Sequence, residues 1–143
     1  MQARSATIQD LTAVFQGLAE RMSSEYLAAG GTTLEARDAL LMNLKEGRGH
    51  SLLQGDEPVA IIAWDEDESC VHTSFAAREA FFSASTVRFC KRHIRHIQRL
   101  CGNLPVRSYS WSDHPDVQRW FEVIGFRKVE GDKGCSIFEL APL

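Results

Sequence analysis

Residues 105–126 read PVRSYSWSDHPDVQRWFEVIGF, and this stretch decides the architecture. Its first part, 105–111, carries Val106, Tyr109 and Trp111 and predicts a strand. Ser112-Asp113-His114-Pro115 then opens a helix, because proline is favoured in a first helical turn. Val117, Trp120, Phe121 and Ile124 recur at helical spacing on one face, and Gly125 stops the helix. Two further strands, 126–130 and 135–140, fold back on each other around Gly131-Asp132-Lys133-Gly134. The C-terminal half is therefore strand, helix, hairpin.

Working back from there, 85–101 predicts a long amphipathic helix. Val87, Cys90, Ile94, Ile97 and Cys101 form its apolar stripe, with Arg88, Lys91, Arg92, Arg95 and Arg99 on the opposite face. Gly102-Asn103 ends it. Further upstream, 51–54, 58–65 and 69–75 read as three strands of an antiparallel meander, with Gly55-Asp56 and Asp65-Glu66-Asp67-Glu68 as turns. The segment 76–84 fits neither period. At the N-terminus, 1–6 predicts a short strand, and Thr7-Ile8-Gln9-Asp10 reads as a capping box for a helix over 8–22. Gly30-Gly31 breaks that pattern, and Thr32-x-x-Glu35 caps a second helix with Leu34, Leu40, Leu41 and Leu44 inward and Gly47 as its stop. This order requires an α/β domain with a mixed central sheet of about seven strands and helices on both faces. The strand–helix–strand step around the basic helix should be parallel and right-handed.

The 143 residues suit one domain over 1–143, and 44% hydrophobic with 24% charged residues is an ordinary globular composition. The first ten residues hold no long apolar stretch, so no signal peptide is expected, and the longest apolar run, 59–64, is far short of a membrane span. The net charge of -3 is uneven: 80–112 contains no acidic residue, so one basic face stands on an acidic remainder. Such a face fits a local anionic partner. Nucleic acid is not the expected partner, since the helix interleaves no exposed aromatics for base stacking and its opposite face is needed for the core. Cys70, Cys90, Cys101 and Cys135 form no metal or redox pattern and read as free thiols.

The element order, together with Val106-Arg107-Ser108-Tyr109-Ser110-Trp111 and the intact Gly125-Phe126 after a short helix, resembles the GNAT superfamily of N-acetyltransferases across nearly the whole chain. More narrowly, three features are similar to small GNAT-like proteins of short-tailed bacteriophages, including the internal virion protein family. They are the aromatic strand ending at Trp111, the Ile124-Gly125 turn, and the basic helix after Val71-x-Thr73-Ser74. The resemblance implies acetyl-CoA or CoA in a V-shaped splay between the central parallel strands, 69–75 and 105–111. Contacts would come from Thr73, Ser74 and Phe75, then Arg78, Ser83, Ala84, Ser85 and Arg88. Glycines of the family's phosphate loop are absent; Phe81 stands where close backbone approach is needed. Four residues before Gly125, where many such enzymes place a proton-donating tyrosine, stands Phe121.

Two histidines are the catalytic candidates. His114, seven residues before Phe121, reads either as an acid or as a helix cap. His72 lies on the central strand and shares a face with Cys70, a pair that reads as nucleophile and base or as plain neighbours, with no third orienting group evident. The acidic turn 65–68 reads as a lure for a cationic substrate or as a solvated turn. Cys90, His93 and His96 drift around their helix, and no metal is expected. Trp64, Tyr109, Trp111 and Trp120 read as core and sheet-face residues. The functional expectation is a phage-encoded acetyltransferase of a small-molecule or protein amine. Its alternative is a catalytically degenerate GNAT-fold protein that binds a host bacterial protein or serves in virion assembly. Either would act in the cytoplasm of the infected host or in the virion, away from membranes.

Overall fold

Thr7 begins the first helix as its sequence requires: its Oγ1 accepts the Asp10 amide at 3.1 Å, and its own amide donates to Asp10 Oδ2 at 3.2 Å. The computed structural model describes residues 1–83, 86–132 and 134–143. In chain order they form β1 (Gln2–Ser5), α1 (Ile8–Gln16), α2 (Glu20–Ala28), α3 (Thr33–Lys45), β2 (Gly49–Gln54), β3 (Glu57–Glu66) and β4 (Val71–Ala77). A 3-10 turn (Glu79–Phe82) follows, then α4 (Val87–Leu100), β5 (Val106–Ser110), α5 (Pro115–Val123), β6 (Arg127–Asp132) and β7 (Cys135–Leu140). The seven strands make one mixed sheet in the order β1-β2-β3-β4-β5-β7-β6, with β4 and β5 parallel. Among the described residues no helix is long and apolar enough to cross a membrane.

The chain divides into two units, Met1–Asp65 with Ser74–Ser83, and Glu66–Thr73 with Ala84–Leu143. In the first, Leu11, Val14, Leu40, Ile61, Ala63 and Ala76 form a core that Phe15, Leu18, Leu41 and Leu44 pack against. The expected single helix over 8–22 is two helices. Leu18 bridges to Arg78, the Ala19 amide donates to the Ala77 carbonyl, and a Cβ at Gly17 would meet Arg78 Nε at 2.7 Å. A long-range backbone partner has thus taken the Ala19 amide, which would otherwise continue the helix. Leu34, expected inward, is exposed in the first turn of α3, while Asn43 is buried and donates to the Trp64 carbonyl at 2.8 Å. Gly49 lets β2 approach α3, since a Cβ there would stand 2.6 Å from Leu44 Cδ1.

In the second unit α4 buries Cys90, Ile94, Ile97 and Cys101 as its stripe requires, together with His93 and Gln98. Gln98 is tolerated inside because its Nε2 donates to the Leu104 and Ala141 carbonyls. Val87 is half-buried, and Arg95 turns from the solvated face to donate to Gln98 and the Ala141 carbonyl. Phe121 stacks on Phe138 at 4.3 Å between ring centroids and meets Trp120 and Phe126 edge-on, so α5 is held by aromatic packing.

Candidate functional site

Strand alternation sorts the side chains of the second unit. Val71, Val106, Phe138 and Leu140 are buried, while His72, Arg107, Tyr109 and Glu139 share the other side of the register. The backbone ladder between β4 and β5 comprises Val71–Val106 and His72–Arg107. At the next position a side chain carries the link: Thr73 Oγ1 donates to the Arg107 carbonyl at 3.1 Å and bonds Ser108 Oγ. This is where an opening between the parallel strands was expected.

His72 is the centre of the polar side. Its Nε2 lies 2.8 Å from Asp67 Oδ2 and 3.2 Å from Cys70 Sγ, and its Nδ1 lies 2.6 Å from Tyr109 Oη. The Tyr109 ring stacks against the imidazole at 5.9 Å. Asp67 is fixed by its other oxygen, since Oδ1 accepts from the amides of Ser69 and Cys70 and from Ser69 Oγ. Hydrogen bonding to His72, then to those two amides, holds the Asp67 carboxyl well below the usual carboxylate range. Burial, aided by the neighbouring Cys70, pushes the Tyr109 phenol up, so it keeps its proton at neutral pH. Arg107 donates to Glu139 at 2.9 Å and pairs with Glu130, and the hydrogen bond to Glu139 raises its pKa further. The arrangement offers a base oriented on both ring nitrogens, an adjacent protonated phenol and a buried thiol.

Of this cluster the sequence supplied His72 and Cys70 but not Asp67 or Tyr109. Asp67 lay in a turn that read as a lure for a cationic substrate or as solvated, and D-x-x-C-x-H was its only local trace. Tyr109 is unreachable from local spacing, because its position beside His72 follows from the β4–β5 register. His114 lies elsewhere. Its Nδ1 accepts the Asp116 amide at 3.1 Å and caps α5, and the side chain lines an open cavity of about 460 Å³ with Gln118, Lys128 and Ser136.

The expected cofactor residues are spread over both units. Thr73 is half-buried and Ser74 exposed. The Phe75 carbonyl accepts from Tyr26 Oη at 2.7 Å, and its ring meets Phe81. Phe81 is fully buried, its ring edge-on to those of Phe75 and Phe82. Arg78 pairs with Glu57 at 3.6 Å and lies over Gly17, lining a shallow cavity of about 240 Å³. Ser83 and Arg88 are exposed, and Ala84 and Ser85 lie outside the described residues. Arg88 stands in the first turn of α4, which holds no acidic residue; Thr86 makes no side-chain cap there and bonds Cys90 instead.

No protein-family model matches the sequence, and no curated protein matches it. Solved structures do. The PaiA N-acetyltransferase of Thermoplasma acidophilum, solved with coenzyme A, superposes with a TM-score of 0.73 at 14% identity over 98% of both chains. The GNAT domain of S. lividans PAT gives 0.74 at 12% identity, over 96% of this chain and 88% of that one. A GNAT-family acetyltransferase of Bacillus anthracis gives 0.72 at 13% identity, over 97% and 93%. At such identities the likeness speaks for architecture, and the chain has the fold of the GNAT acetyltransferases.

Proposed function

We propose that this protein is an N-acetyltransferase that moves the acetyl group of acetyl-CoA onto an amine of a small molecule or protein. The start of α4 carries the reading. The positive end of the helix dipole and exposed Arg88 combine in a first turn that holds no acidic residue. That is the chemistry a pyrophosphate needs. The fold neighbour from Thermoplasma acidophilum, solved with coenzyme A, supports the same ligand class. Thr73, in the same unit, belongs to the proposed contact set, with Arg88 as its cation.

Acetyl-CoA supplies an activated thioester when bound. As its C–N bond forms, the acceptor nitrogen loses its proton to Tyr109 Oη, which passes its own to His72 Nδ1, and Asp67, accepting from Nε2–H, steadies the resulting imidazolium. Tyr109 gives its proton to the sulfur released as the C–S bond breaks, and regains one from His72 Nδ1. Tyr109 would thus do what Phe121, stacked on Phe138, has no proton to do. The test is amine-dependent release of CoA across an amine panel. Activity that falls in His72→Gln and Tyr109→Phe supports the reading, and silence with every amine despite acetyl-CoA binding overturns it.

The engagement of Arg78 by Glu57 favours a second reading, in which the fold is a scaffold without catalysis. With the resemblance to short-tailed phage proteins, its partner would be a host bacterial protein or another virion component. A stoichiometric partner recovered from bacterial lysate, or the protein's presence in purified virions, supports it; absence from both removes it.

A further inference from the structure

We infer that Asp67, Cys70 and His72 form a binding site for one thiophilic divalent cation, of which zinc is the best fit. Among the described residues, this one group of three brings a carboxylate oxygen, a thiol sulfur and an imidazole nitrogen within 4.8 Å of one another. A tetrahedral zinc with bonds of about 2.0–2.3 Å places its ligand atoms roughly 3.3–3.6 Å apart. The observed Nε2–Sγ distance of 3.2 Å and Nε2–Oδ2 distance of 2.8 Å are two sides of that triangle slightly contracted, and Sγ lies within 4.8 Å of the carboxylate oxygen. A shift of the imidazole by a few tenths of an ångström admits the ion.

The supporting contacts are those such a site requires. Tyr109 Oη bonds Nδ1, which fixes the ring and leaves Nε2 as the donor. The Ser69 and Cys70 amides pin Asp67 through Oδ1, which leaves Oδ2 directed at His72. Cys70 is a free thiol with no disulfide partner. Cys70 is buried, while the Asp67 and His72 side chains keep 54% and 34% of their exposure, so an ion has a route in through them. One soft sulfur and one imidazole disfavour calcium and magnesium, which take oxygen cages. Three protein ligands leave a fourth position for water.

The site stands whether or not the protein transfers acetyl groups. Where the acetyl-transfer reading also holds, cation and proton compete for the same Nε2, and the ion inhibits turnover.

The experiment is a titration of the chelator-treated full-length protein with cobalt(II), followed by displacement with zinc. The expected result is a thiolate-to-cobalt charge-transfer band saturating at one ion per chain and lost on adding zinc. Cys70→Ser abolishes the band, His72→Gln and Asp67→Asn weaken binding by at least about tenfold, and Tyr109→Phe weakens it by about tenfold. Cys135→Ser leaves it unchanged. X-ray absorption on the zinc-loaded wild type, which needs no variant, should show one sulfur and two protein nitrogen or oxygen ligands. Absence of the band, unchanged cobalt affinity in His72→Gln, or an all-nitrogen-and-oxygen zinc shell would overturn the site.

Discussion

Asp10, in the first unit, and Asp67, in the second, each accept backbone amides from close neighbours, Asp10 from Thr7 and Asp67 from Ser69 and Cys70. Beyond that they diverge. Asp10 is buried and its remaining capacity is filled by Arg4 at 2.8 Å and Ser51 Oγ at 2.7 Å. Its partners have fixed protonation near neutrality, so the cluster ties β1, α1 and β2 together and has no proton to move. Asp67 is half-exposed, and its second oxygen meets an imidazole that also touches a thiol and a phenol. A saturated carboxylate holds a fold; one that shares its partner with a nucleophile and an acid is equipped for chemistry.

The comparison breaks first at His72. If the Asp67 cluster is catalytic, His72→Gln lowers amine-dependent CoA release by about a hundred- to ten-thousandfold, with an unchanged unfolding midpoint in urea. Next comes Asp10→Ala. Removing a buried, paired and capping carboxylate should cost about 3 kcal/mol by urea unfolding, because Ser51 and the Thr7 amide lose their acceptor. Asp67→Asn should lower stability less than Asp10→Ala does while abolishing most cobalt binding, and the reverse order would erase the distinction. A milder test uses acid. Burial raises the Asp10 pKa, but the bonds from Ser51, Arg4 and Thr7 outweigh it and leave a net depression. Its stabilisation is therefore complete above the unfolded carboxylate pKa of about 4 and is lost as pH falls through the folded value. Asp10→Asn should flatten that part of the stability profile. The smallest effect concerns Cys90, whose thiol burial pushes up to about 12. It should resist alkylation of the native protein at mildly alkaline pH, where mass mapping would detect a modified residue.

The local half of the fold was legible in the sequence. The Thr7–Asp10 box, the Thr32 cap, the stripe of α4 and the Pro115 start of α5 all depend on residues within a turn of one another. The break at Gly17 was not, because the Ala19 amide is taken by Ala77 from far along the chain. Gln98 gave no sign of burial, since its carbonyl partners come from the C-terminal segment. The site divides the same way. Cys70, just before β4, and His72, in it, are two apart in sequence and could be paired from spacing, whereas Tyr109 reaches His72 only through the β4–β5 register. Phe81 was misleading in the opposite sense: it occupies a loop position expected to face a ligand, yet its ring is packed against Phe75 and Phe82.

Calorimetric titration of the purified protein with acetyl-CoA tests the central claim most directly. One-to-one binding that weakens by about tenfold or more in Arg88→Glu is the predicted result, because that substitution reverses a charge at the helix start proposed to hold the pyrophosphate. No heat at millimolar ligand, or equal affinity in the variant, would contradict it.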